Sequence, residues 1–147
     1  MTLYSDKFEK SIKFVLKAEG GYANDTNDPG GETNFGISKR VYKNVDIKNL
    51  TVEQAKAIYY KDYWAYMKCD DLAWPICLAH FDTAVNCGYS AARDCLAKSN
   101  NDVNEYLVQR ENYYKGRSQR LRELYFNGWM NRLKHLREYI KEGGLRG

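Results

Sequence analysis

Glu19 stands where a carboxylate could do acid/base work. It ends a helical pattern and is followed at once by Gly20-Gly21-Tyr22, then by a polar, turn-rich stretch from Asn24 to Ile37. That stretch carries further carboxylates at Asp25, Asp28 and Glu32 and a hydroxyl at Thr33. A carboxylate fixed at a helix end, facing a glycine-rich loop with more acids and a hydroxyl, suits proton transfer to a bound group. Asp28 is also what a turn would use, because Asp-Pro-Gly bonds its own backbone readily. The cysteines, Cys69, Cys77, Cys87 and Cys95, form no C-x-x-C and have no neighbouring histidine pair, so no zinc site is expected. They read as free thiols, with a disulfide formed after release left open. Neither a metal nor a cofactor is expected.

The elements that must position these groups are mostly helical. Ser5 is placed as N-cap of a first helix with Asp6 and Glu9 in its first turn, and Phe8, Ile12, Val15 and Leu16 recur at helical spacing. Gly20-Gly21 stops that helix, leaving Glu19 rigidly held in the last turn yet reachable. Residues 22–37 have no helical period; the Asp28-Pro29-Gly30-Gly31 turn predicts a small hairpin. Ser38 is expected to cap a short helix through Tyr42. Thr51 and Gln54 form a capping box for a helix running towards Tyr63-Trp64. Pro75 opens a helix from Ile76 to Asn86 that Gly88 stops, and Ser90 to Lys98 is a further short helix. Two long helices, about 103–126 and 129–142, are expected to break at Asn127-Gly128. The fold class is mainly α with a small β-hairpin, and residues 1–147 are expected to form a single domain, the usual size for one.

The run EGGYANDTNDPGGETNFGI at residues 19–37 closely resembles the opening of the glycoside hydrolase family 108 muramidases, lysozyme-like peptidoglycan-cleaving enzymes. Phe81-Asp82-Thr83-Ala84-Val85-Asn86-Cys87-Gly88 resembles their F-D-x-A-V-N-x-G segment. Gly128-Trp129-Met130-Asn131-Arg132 resembles, more weakly, a closing G-W-x-x-R. The resemblance implies a lysozyme-like α+β fold and makes Glu19 the general acid that protonates the leaving oxygen. Phage-type lysozymes, which share the broader fold, place an Asp and then a Thr after the acid. Here Asp28 follows Glu19 by nine positions, and Thr33 follows Asp28 by five, one short of that pattern. Asp28 would stabilise oxocarbenium charge or orient water, and Thr33 would hold that water. Tyr22, Asn34 and Asn86 are the candidate substrate-binding residues, Asn86 through its amide or else as a helix cap. Asp82 is expected in a structural polar pair, Trp129 and His80 in the core. A solvated glutamate is ionised at pH 7, so an acid here needs partial desolvation, with Leu16 and Tyr22 as candidate neighbours.

The net charge of +4 comes entirely from the last third of the chain, since acids and bases balance over residues 1–100. Such a bias favours anionic surfaces without specifying one. No nucleic-acid motif accompanies it, so no nucleic-acid partner is expected. No apolar run is long enough to cross a bilayer, and the first residues lack an export pattern. The expected partner is bacterial peptidoglycan, met by a monomer made in the cytoplasm and acting on the cell wall after release. The alternative is a wall-binding or scaffolding module with feeble or no turnover.

Overall fold

A computed structural model describes residues 3–25 and 31–144. Asp28, with residues 26–30, lies outside the described residues. Helix α1 (Asp6–Glu19) begins where Ser5 Oγ accepts a hydrogen bond from the Phe8 N–H, and ends at Gly20, whose φ of +81° turns the chain. Its buried face is Phe8, Ser11, Ile12, Phe14 and Val15. Three short strands follow: β1 (Ala23–Asn24), β2 (Glu32–Asn34) and β3 (Ile37–Ser38), antiparallel in the order β1-β2-β3. Thr33 pairs with Ala23 on one side and Ser38 on the other. The hairpin thus gains a third strand beyond the sequence expectation.

Helix α2 (Val52–Tyr59) opens on the Thr51–Gln54 capping box and runs into a π-helical turn, Tyr60–Ala65. Beyond a short 3₁₀ turn (Cys69–Asp71) come α3 (Ile76–Cys87), α4 (Tyr89–Ser99), α5 (Val103–Lys115) and α6 (Gln119–Lys141). Helix α3 is central, packed against α1, α4 and α5, and its residues from Ile76 to Ala84 are all buried. One core cluster joins Phe8, Ile12, Val15, Trp64 and Phe81 beneath the sheet. A second joins Leu78, Tyr106, Leu107, Leu133 and Leu136 among the later helices.

Two expectations are corrected. Ser38 starts no helix; it belongs to β3, and its hydroxyl accepts from the Val41 N–H within a turn. The long helices break at Gly116–Ser118, where Ser118 Oγ caps the Leu121 N–H, and not at Asn127-Gly128, which lies inside α6. A helical glycine costs about 1 kcal/mol. Burial of Leu133, Leu136 and Tyr139 on the same helix outweighs that. The four cysteines are free thiols, three of them buried.

Candidate active site

Glu19 is the last residue of α1, and its side chain keeps 22 % of its surface exposed. Its two oxygens have different neighbours. Oε1 accepts from Arg132 Nη1 at 3.0 Å. Oε2 lies under the tip of the β2–β3 hairpin: a Cβ added to Gly36 would sit 2.7 Å from it and 2.7 Å from the Tyr59 hydroxyl. Only glycine leaves that space, and its φ of +79° is also one that glycine adopts freely. The turn residues Phe35 and Gly36 both have positive φ, as a two-residue hairpin turn of the primed kind requires. The Tyr59 hydroxyl donates to the Phe35 carbonyl at 2.6 Å, pinning the turn to α2. Burial, and then the negative Glu19, push the Tyr59 phenol far above its ordinary pKa, so it stays a donor.

Behind Glu19 lies a buried charge relay. Asp82 of α3 is fully buried and accepts from Arg132 Nη2 (2.8 Å), Arg132 Nε (3.3 Å) and Arg110 Nη1 (2.7 Å). Burial alone would raise the Asp82 pKa; the Arg132 and Arg110 guanidiniums overturn that and hold it below the usual carboxylate range. Burial works against the charge on Arg132 too, and Asp82 with Glu19 more than restores it. Two acids, Glu19 and Asp82, thus face two guanidiniums, Arg110 and Arg132. Arg110 also reaches Thr83 Oγ1 (3.2 Å), the Tyr114 hydroxyl (2.9 Å) and Asn86 Oδ1 (3.4 Å). The Tyr114 hydroxyl in turn donates to Asn86 Oδ1. Asp82 is therefore the structural partner the sequence suggests, and through Arg132 it fixes the Glu19 carboxylate.

The other candidates separate. Tyr22 is exposed, and its hydroxyl donates to Glu32 Oε2 at 2.6 Å. The groups against Glu19 are thus Arg132, Tyr59 and Gly36, none singled out by the sequence for that role. Thr33 sits mid-strand in β2, half-buried. Asn34 is buried and gives its amide to the Ile47 carbonyl at 3.1 Å, tying the sheet to the following loop. Asn86 commits its oxygen to the Arg110–Tyr114 pair. It also lines a cavity of about 780 Å³ between α1 and α6, together with Ala18, Arg132 and His135. Trp129 packs half-buried against the second core cluster, stacked on Tyr114 at 5.0 Å, and its free edge forms part of that cavity's wall. His80 is core, bonded to the Tyr106 hydroxyl at 2.8 Å.

Arg132 was legible only as the last letter of a weak motif, and Arg110 gave no local signal, since both act through contacts far away in sequence. Among the described residues no group of three or more His, Cys, Asp or Glu converges as a metal ligand set.

A search of the curated proteins finds no match. Among solved structures, the chain is similar to that of Brucella abortus SagA. The TM-score is 0.78 at 25 % sequence identity, covering 95 % of this chain and 97 % of that one. The family model described as glycosyl hydrolase 108 matches residues 12–88, which takes in the second half of α1 with Glu19, the sheet, and α3 with Asp82 and Asn86. The chain belongs to glycosyl hydrolase family 108 and is a glycoside hydrolase of the peptidoglycan-degrading kind.

Proposed function

We propose that the chain is a β-1,4-N-acetylmuramidase, cleaving between N-acetylmuramic acid and N-acetylglucosamine, with Glu19 as the general acid. The observation that carries this reading is the placement of one carboxylate. Glu19 is partly exposed at the end of a buried helix, with one oxygen oriented by Arg132 and the other crowded by Gly36 and Tyr59. A glycosidic oxygen must receive its proton as the bond breaks, and a preoriented acid supplies it without searching rotamers. Oε2, which faces the hairpin tip and not the arginine, is the oxygen proposed to deliver the proton.

The second group is proposed to be Asp28, with Thr33 holding the water that attacks the far face of the sugar. Tyr22 and Asn86 are proposed to contact the glycan, and Asn34 to act through the loop it anchors. Among the described residues no helix is long and apolar enough to cross a membrane. The protein is proposed to reach the wall only after release.

Product chemistry tests the bond. Peptidoglycan is digested, the new reducing ends are reduced with borohydride, and the products are hydrolysed. Muramitol is expected, because a muramidase leaves muramic acid at the reducing end. Glucosaminitol in its place would overturn the muramidase assignment.

A further inference from the structure

A row of tyrosines runs from Glu19 to the surface. It starts at Tyr59, whose hydroxyl shares the space over Gly36 with Glu19 Oε2. Ring centroids then step 5.7 Å to Tyr63, 5.5 Å to Tyr89 and 4.7 Å to Tyr66. Exposure rises along the way, from buried Tyr59 through half-buried Tyr63 and Tyr89 to Tyr66, which is 56 % exposed. The guanidinium of Arg93 lies over the outer two rings, 5.6 Å from Tyr66 and 5.9 Å from Tyr89.

Two features show that the row is built and not incidental. Tyr59, Tyr63 and Tyr66 are spaced to share one face of a helix, and the π-helical turn Tyr60–Ala65 falls across them. Such turns are rare and cluster at functional sites, because the extra residue re-aims side chains. The hydroxyls are also tied back. Tyr89 donates to the Asp62 carbonyl at 2.6 Å, and the neighbouring Tyr42 donates to Asp62 Oδ2 at 2.7 Å. Within the row, Tyr59 and Tyr89 are thus anchored by their own hydroxyls.

We propose that the outer half of this row, Tyr66 and Tyr89 with Arg93 above them, is a saccharide-binding platform for the glycan strand extending from Glu19. Pyranose rings present C–H faces that pack on aromatic rings, and successive sugars call for successive platforms. The observed centroid steps supply one ring after another. Arg93 adds donors for hydroxyl, acetamido or carboxylate oxygens, which an aromatic surface alone lacks. Continuity with Glu19 selects a carbohydrate as occupant: the Tyr59 hydroxyl shares the space over Gly36 with Glu19 Oε2, and the Tyr63 ring follows at 5.7 Å. The inference rests on the reading of Glu19 as the acid and adds where the rest of the substrate lies.

The test is calorimetric titration of soluble alternating N-acetylmuramic acid/N-acetylglucosamine oligosaccharides into the Glu19→Gln protein, so that binding is read without turnover. Adding Tyr66→Ala should weaken binding about tenfold, equivalent to about 1.4 kcal/mol. Tyr66→Phe should bind like its parent, because the ring and not the hydroxyl is used. Arg93→Ala should weaken binding several-fold. Unchanged binding in both Tyr66→Ala and Arg93→Ala, with melting temperatures equal to the parent, would overturn the platform. Loss in Tyr66→Phe equal to that in Tyr66→Ala would overturn the stacking account. Hydrolysis by Glu19→Gln itself reports on the acid assignment, and binding alone reports on the row.

Discussion

Removing the charge of Asp82 should unfold this protein far more readily than any surface change. Asp82→Asn keeps the shape of the side chain but leaves Arg110 and Arg132 facing each other with one counter-charge fewer. Arg110 and Asp82 have no exposed surface, and the Arg132 side chain keeps only 11 % of its own. Breaking a buried pair from one side typically costs about 3–5 kcal/mol, because the surviving charge has neither water nor partner. The asparagine oxygen can still accept from one arginine, so the low end, about 3 kcal/mol, is expected. For a chain of this length that lowers the melting temperature by roughly 6–12 °C. Differential scanning calorimetry at pH 7 measures it. The pH dependence is a second signature. Folding holds Asp82 below the roughly 3.9 of an unfolded aspartate, so its pairing stabilises fully above that pH and is lost as pH falls through the lower folded value. The gap between wild type and Asp82→Asn should stay level from about pH 7 to 5 and narrow below about pH 4. A drop of under about 2 °C at pH 7 would refute the claim that this carboxylate neutralises the buried arginines.

Other outcomes follow from the same geometry. Gly36→Ala puts a methyl 2.7 Å from Glu19 Oε2 at a φ of +79°. It should cost about 1–2 kcal/mol in backbone strain, and at least about tenfold in hydrolysis through the displaced acid. Gly31→Ala, with a φ of +67° and open space around it, should carry the strain but keep the activity, both read by melting and reducing-sugar release. Arg132→Lys retains a positive charge, yet a single ammonium cannot reproduce the fork that holds Glu19 and Asp82 together. A kcat about 10–100-fold lower is expected from steady-state assays. Burial, with Arg93 assisting, depresses the His80 pKa to about 4. The unfolded chain takes up its proton first, near pH 6.5, so stability should fall by roughly 2–3 kcal/mol between there and about pH 4. Melting curves across that window should be flatter for His80→Gln.

The local features of this fold are the ones the chain spells out. Ser5 and Gly20 bracket α1, Thr51 and Gln54 box α2, and Gly88 ends α3, because each of these acts within one helical turn of itself. Asn127-Gly128 misleads for the same reason: it has breaker composition, but packing of α6 residues against distant helices decides the matter. The true break, Gly116 to Ser118, has its own signal in a serine cap that a glycine precedes. In the site, Glu19 was legible from its position at the helix end and from motif resemblance. Arg132 and Arg110 were not, since their partners Glu19 and Asp82 lie 113 and 28 residues away. Nothing in the sequence sets Gly36 apart from the other loop glycines; the close approach of Glu19 and Tyr59 is what requires it. The π-helical turn at Tyr60–Ala65 has no sequence signature of comparable strength; the expected helix simply continues through Tyr63.

The most direct test is the rate at which wild type and Glu19→Gln release reducing sugar from purified peptidoglycan, with both proteins shown to melt alike. Losing a general acid should slow the release by about 10²–10⁴-fold, while sedimentation with the wall is retained. A Glu19→Gln protein within a few-fold of wild type would contradict the assignment of Glu19 as the acid and, with it, the proposed mechanism.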